Sequence, residues 1–230
     1  LDERLARPIL IGRPSVIASR IARAGLRFRP GADVEVIDPE SDARYRDYWT
    51  DYQRLTGRRG VTPDMAKATL RRSTTTIGAM MVRRGDADAL LCGLVGRFDG
   101  HLEHVGEVIG LKPGATTLAT LNALMLPQQT IFVTDTFVNE EPSAEALAEI
   151  AAMAADEVRR FGLPPKVAFL SHSMFGSSDR PSARRMRRAR ELFAAANPDV
   201  ECDGEMHGDA ALSEDVRRAF LPDSTLKGTA

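Results

Sequence analysis

Short continuous apolar runs alternate along the chain with segments whose apolar residues recur every three or four positions. The first pattern marks strands buried on both faces and the second marks amphipathic helices. Pro8–Gly12 and Val34–Asp38 predict two short strands. Between them Pro14–Ala24 predicts a helix, with Val16, Ile17 and Ile21 on one side and Gly25 as its stop. From about Glu40 to Leu55, the spacing of Tyr45, Tyr48, Trp49 and Tyr52 puts the aromatics on one helical face, as packing residues. Thr62-Pro63-Asp64 opens a further helix with a capping hydroxyl, a proline at the first helical position and an acid near the positive dipole end. Its pattern runs to Arg84, with Gly85 placed to end it.

Ala87–Val95 is the strongest strand pattern of the first half, and a helix carrying Leu102, Val105, Val108 and Ile109 follows Gly96–Gly100. Leu118–Leu126 and Thr130–Val138 predict strands on either side of Pro127. Ser143 caps an alanine-rich helix that ends near Phe161-Gly162. Lys166–Leu170 predicts a buried strand, Pro181–Asn197 a helix and Glu201–Met206 another strand; Asp209 or Ser213 opens a last helix reaching about Phe220. Strands alternating with helices imply an α/β fold with a largely parallel sheet, or two of them.

The stretch after Lys166–Leu170 turns small and hydroxylated: Ser171, Ser173, Gly176, Ser177 and Ser178. A strand, a small polar loop and a helix can aim backbone N–H groups and a helix N-terminus at an anion. In open α/β sheets ligands bind beyond the carboxyl ends of the strands. The loop is therefore either a binding-site wall or a connection whose serines cap the next helix. Asp203, Glu205, His207 and Asp209 fall at alternate positions, so an extended backbone points all four to one side, toward a polar pocket or a hard metal. No further carboxylate cluster supports a metal there, and none is expected. His101 and His104 lie three apart on a helix and are read as solvated ahead of ligating. His172 stands among serines without an assignable acid, which gives a serine nucleophile little support. Six arginines between Arg180 and Arg190 form a basic face that either is solvated or holds a nucleotide phosphate, the first being favoured. No Gly-x-Gly-x-x-Gly or Gly-x-x-x-x-Gly-Lys-Ser/Thr motif occurs, which argues against an ordinary dinucleotide site or phosphate loop.

Composition narrows the class. The chain has 230 residues, 43% hydrophobic and 27% charged, with a net charge of -1, so it should form one large or two small globular domains without a polyanionic partner. Two cysteines, Cys92 and Cys202, suit a reducing compartment and no disulfide framework. No apolar run approaches membrane-spanning length, and the expectation is a cytoplasmic protein with neither membrane nor nucleic-acid partners.

Several motifs together carry a resemblance. Ser171-His-Ser173-Met-Phe-Gly176-Ser177, Asp203-Gly-Glu205-Met-His207-Gly-Asp209 and Leu226-Lys-Gly-Thr-Ala230 resemble the phosphotransacetylase (phosphate acetyl/butyryltransferase) family. Thr134–Asn139 corresponds to that family's Ala-Asp-Cys-Ala-x-Asn motif, with Thr136 at the cysteine. The stretch Gly96–Gly114 resembles the phosphotransacetylase-like C-terminal domain of bacterial hybrid NADP-dependent malic enzymes. Aligned without gaps, the family's phosphate-binding arginine falls on Glu103, where a carboxylate repels phosphate.

The resemblance implies an isocitrate/isopropylmalate dehydrogenase-like α/β architecture of two subdomains, residues 1–126 and 127–230, with an acyl-CoA cleft between them. It also implies a continuation past Ala230 into the segment that carries the family's catalytic serine, arginine and aspartate, so no catalytic residue is assigned here. NADP and a divalent metal would belong to a malic-enzyme domain N-terminal of Leu1, and this chain itself holds no cofactor. The expected ligands are acetyl-CoA, CoA or an acyl phosphate, with Arg97, Asp135, Thr136, Asn139, Ser171, Ser173, Gly176, Ser177, Asp203, Glu205, His207 and Asp209 as candidate contacts. A homo-oligomer is expected. The resulting expectation is an acetyl-CoA-binding regulatory and oligomerisation domain of a malic enzyme. An active acyltransferase and a purely structural oligomerisation module are the alternatives.

Overall fold

The computed structural model describes residues 5–230. The chain divides into two compact units, residues 1–110 and 111–230. The expected boundary after residue 126 falls between two strands that the structure pairs inside the second unit.

In the first unit β1 (Ile9–Ile11) and β2 (Glu35–Ile37) are parallel, with Leu10 opposite Val36, and α1 (Pro14–Arg23) connects them. Four more helices follow: α2 (Tyr45–Thr56), α3 (Pro63–Arg72), α4 (Thr74–Arg84) and α5 (Phe98–Val108). The single helix expected over 63–84 is broken, because Ser73 leaves the helical region and caps α4 by accepting from Thr76 N. Thr62 caps α3 in the same way and Gly85 ends α4 with φ +77°, as their sequence positions predict. The aromatic face of α2 packs inward, with Tyr48 and Tyr52 buried in one cluster with Ile37, Leu70, Ile77 and Met80 and the half-buried Tyr45 and Trp49 packed against it. Their hydroxyls donate to Asp86 (3.1 Å) and Glu107 (2.6 Å), so neither phenol is left unpaired by its burial.

The strand expected over 87–95 does not form. Among the described residues this stretch pairs with no other strand, and Leu91 and Leu94 are 99% and 96% exposed. Only Ala87 and Leu90 reach the core; a Cβ at Gly78 would lie 2.4 Å from the Leu90 side chain. An apolar run looks the same in sequence whether or not a neighbouring strand covers it.

In the second unit β3 (Leu121–Met125) and β4 (Thr130–Thr134) form an antiparallel hairpin closed by Leu126 N–H to the Gln129 carbonyl. Helix α6 (Ala144–Arg160), capped by Ser143, leads to β5 (Lys166–Leu170), then α7 (Pro181–Ala196) and β6 (Glu201–Met206). Strands β5 and β6 are parallel, Val167 opposite Cys202, and the register shifts at Phe169/Leu170. Phe169 on β5 meets Phe193 on α7 edge to face at 5.7 Å, which fixes the helix across the strand pair. Two short helices close the chain, α8 (Gly208–Leu212) and α9 (Glu214–Phe220), the latter capped by Ser213. The one helix expected from Asp209 or Ser213 is thus two. The buried Arg217 holds the last segment, donating to the carbonyls of Ala210 (2.6 Å), Leu226 (2.9 Å) and Gly228 (2.7 Å). The result is an α/β fold with small parallel sheets and one antiparallel hairpin. No helix of the described residues is long and apolar enough to cross a membrane.

Candidate functional site

The loop between β5 and α7 is shaped around one carboxylate. Glu205 is fully buried near the end of β6. Its Oε1 accepts from Ser173 Oγ (2.6 Å), Gly176 N–H (2.9 Å) and Arg187 Nη1 (2.9 Å). The neighbouring Phe175 N–H donates to the Glu205 carbonyl at 2.8 Å. Phe175 at φ +44° and Gly176 at φ +94° turn these consecutive N–H groups the same way. A residue with a side chain in the left-handed region costs free energy, and the bonds to Glu205 offset it. Oε2 of Glu205 is buried without a partner among the described residues. Burial works to raise the pKa of this carboxyl. The donors on Ser173, Gly176 and Arg187 outweigh it and hold the group below the usual glutamate range.

Four further N–H groups of the loop are also satisfied internally. Ser173 N–H donates to Ser171 Oγ (3.2 Å), Met174 N–H to Ser177 Oγ (2.9 Å), Ser177 N–H to the Met174 carbonyl (3.0 Å) and Ser178 N–H to Ser173 Oγ (3.0 Å). Between Ser173 and Ser178 one N–H, that of Gly176, reaches a carboxylate, Glu205; the others bond to carbonyl and serine oxygens, so the expectation that these N–H groups converge on an external anion is corrected.

Asp203, two residues earlier on β6, is buried as well. Its Oδ2 accepts from Ser224 Oγ (2.6 Å) and Thr225 N–H (3.0 Å), and its Oδ1 from Gly204 N–H (2.9 Å) and Arg190 (3.5 Å). The alternate acids of β6 thus meet Arg187 and Arg190, three apart on α7. The expectation that all four side chains of 203–209 share one side fails, because the register shift leaves Glu205 without a partner residue on β5 and the strand ends at Met206. His207 and Asp209 are exposed at the start of α8, His207 Nε2 lying 3.1 Å from the His172 carbonyl. Asp209 Oδ1 accepts from Ala210 N–H at 2.8 Å. His172 Nε2 is 3.4 Å from Ser178 Oγ.

The other candidates lie elsewhere. Asp135 accepts from Asn139 N–H (2.9 Å) and Nδ2 (2.7 Å), and Asn139 Nδ2 also reaches the Leu118 carbonyl (2.7 Å). The pair ties the turn after β4 to the segment before β3, and leaves Thr136 exposed at its apex. Arg97 belongs to the first unit, is 88% exposed in its side chain and pairs with Asp99 at 3.3 Å. Glu103 is exposed on α5, whereas His101 is engaged by Thr75 Oγ1 (2.7 Å) and the Val95 carbonyl (2.8 Å). Reading the sequence missed the roles of Arg187 and Arg190, which were grouped with the solvated face. A signal was present, since Ala183, Arg187 and Arg190 share one helical face opposite two alternate acids.

A family model described as "Phosphate acetyl/butaryl transferase" matches residues 1–230. The chain belongs to this family. It is 53% identical over 226 residues to an NADP-dependent malic enzyme of Escherichia coli strain K12, covering 98% of this chain and 30% of that protein. An NAD-dependent malic enzyme of Rhizobium meliloti is 51% identical over all of this chain and 30% of its own length. The chain thus spans about a third of the length of these curated relatives. A phosphotransacetylase structure from Streptococcus pyogenes superposes with a TM-score of 0.86 at 28% identity, covering 100% of this chain and 69% of that one. The resemblance read from the Ser171–Ser177, Asp203–Asp209 and Thr134–Asn139 motifs is thereby established as kinship with phosphotransacetylases and malic enzymes.

Proposed function

We propose that this phosphotransacetylase-family chain binds acetyl-CoA or a related acyl-CoA without transferring the acyl group. In this reading the ligand regulates an attached malate-decarboxylating dehydrogenase. The observation that carries the proposal is the identity above 50% to malic enzymes across essentially the whole chain. Those relatives are named for NADP and for NAD, so the nicotinamide cofactor of the attached enzyme follows neither from them nor from this chain. The absence of turnover rests on two positions. Glu103 presents an exposed carboxylate where the family resemblance expects a phosphate-binding arginine, and Thr136 stands at the cysteine. Acyl transfer from an acyl phosphate to CoA needs the two substrates held together and the developing negative charge stabilised. A carboxylate at the phosphate position opposes both. The loop built on Glu205 supports a binding role in a particular way: the N–H groups of Ser173–Ser178 are bonded internally, so in this reading a ligand meets outward side chains such as His172, Ser178 and the arginines of α7. Calorimetry with acetyl-CoA, run beside an acetyl phosphate/CoA transfer assay on the intact protein, tests both halves. Binding without transfer supports the proposal; transfer at about 1–1000 per second would establish an active phosphate acetyl- or butyryltransferase, the reading that the family match favours.

A further inference from the structure

Helix α7 presents two kinds of arginine. Arg187 is anchored by Nη1, which donates to the buried Glu205 and to the Ser178 carbonyl at 2.9 Å each. Its other nitrogen, Nη2, turns outward to Asp179 at 3.0 Å, and that aspartate side chain is 87% exposed. An exposed acid of this kind contributes about 0–1 kcal/mol and is readily exchanged. Arg180 and Arg184 precede Arg187 by seven and three positions, on the same side of the helix. Both are exposed, and neither has an ion-pair partner among the described residues. The next arginine, Arg188, is already neutralised by Glu191 at 3.0 Å. Arg187 Nη2 therefore meets one weakly held carboxylate, and the guanidinium groups of the N-cap Arg180 and of Arg184, without ion-pair partners among the described residues, belong to the same end of a 16-residue helix, whose positive dipole end adds to the field there. The Glu205 bond also fixes the orientation of the Arg187 fork, so that one guanidinium is pre-organised for an anion.

We infer that Arg180, Arg184 and the outward Nη2 of Arg187 form a seat for a phosphate or diphosphate group, with Asp179 as its placeholder. The inference rests on the acyl-CoA reading only for the name of the ligand, because a CoA thioester carries a diphosphate. The chemistry stands for any diphosphate-bearing compound. Guanidinium groups bind such oxygens bidentately, and the incoming anion displaces Asp179 from Arg187.

Titration of the intact protein with pyrophosphate, acetyl-CoA and acetyl-pantetheine tests the inference in the parent, in Asp179→Asn and in an Arg180→Ala/Arg184→Ala double variant. Circular dichroism of each variant reports folding, and both arginines are exposed. The parent should bind pyrophosphate, Asp179→Asn should bind it more tightly, and the double variant should lose about tenfold or more. Acetyl-pantetheine, which lacks the diphosphate, should bind parent and double variant equally. Pyrophosphate binding that is absent in the parent, or unchanged in the double variant, overturns the seat even if acetyl-CoA binds. Pyrophosphate binding that depends on the arginines, with no affinity for acetyl-CoA, keeps the seat and removes the acyl-CoA reading.

Discussion

Arg187 Nη1 lies 2.9 Å from Glu205 Oε1, which joins the second turn of α7 to the end of β6. Glu205 is fully buried and the arginine side chain is 26% exposed, so the pair is shielded from screening. The same oxygen shapes the loop from Ser173 to Gly176. One ion pair thus sets both the docking of the helix and the conformation of the loop.

Removing the arginine leaves that carboxylate buried and short of a donor. Arg187→Ala is expected to lower unfolding stability by about 3 kcal/mol, read as a shift in the urea midpoint. Arg188→Ala, which breaks the exposed pair with Glu191, serves as the control and should change stability by less than about 1 kcal/mol. Equal midpoints for the two variants would show that the Arg187–Glu205 pair does not hold the loop.

The pH dependence follows from the direction of the Glu205 shift. The folded carboxyl titrates below its unfolded value. Its stabilisation is therefore complete above the ordinary glutamate range and is lost as pH falls through the folded value. Parent stability should decline on acidification below about pH 4.3. Glu205→Gln should start from lower stability at neutral pH and lose less over the same interval. Parallel melting-temperature profiles for the two proteins would contradict this.

Gly204 offers a test of packing. It has φ +134°, and a Cβ there would sit 2.6 Å from the Phe169 carbonyl oxygen on the paired strand. Gly204→Ala should cost about 1–3 kcal/mol, because backbone and not a flexible side chain is in the way. Gly208→Ala meets nothing within 4 Å at the start of α8 and should be close to neutral in the same unfolding measurement.

Much of the fold was legible in the sequence because its signals are local. Ser143, Thr62 and Gly85 cap their helices as their positions predict, and the segments expected as strands at 166–170 and 201–206 are paired strands. The run at 87–95 misled because burial is a property of the neighbour that covers a strand, and sequence does not reveal whether one is there. The chemistry of the site was legible by residue and not by partner. Ser173, Gly176 and Glu205 were picked out, yet their mutual bonds cross 29 to 32 positions. Asp135 and Asn139 were likewise chosen, and their side chains face each other and the chain before β3. Periodicity carries which face a residue occupies, and long-range pairing lies beyond it.

A homo-oligomer is expected if the domain conveys its ligand state to an attached enzyme. Light scattering on the intact protein at micromolar concentration should give a mass of two or more chains. A monomer mass there counts against regulation through assembly.

Binding of acetyl-CoA by the intact protein decides the functional reading. Isothermal titration should give saturable heat, about one site per chain, with no acetyl phosphate formed when inorganic phosphate is also present. No detectable heat at millimolar ligand, or steady formation of acetyl phosphate, would contradict a binding domain without turnover.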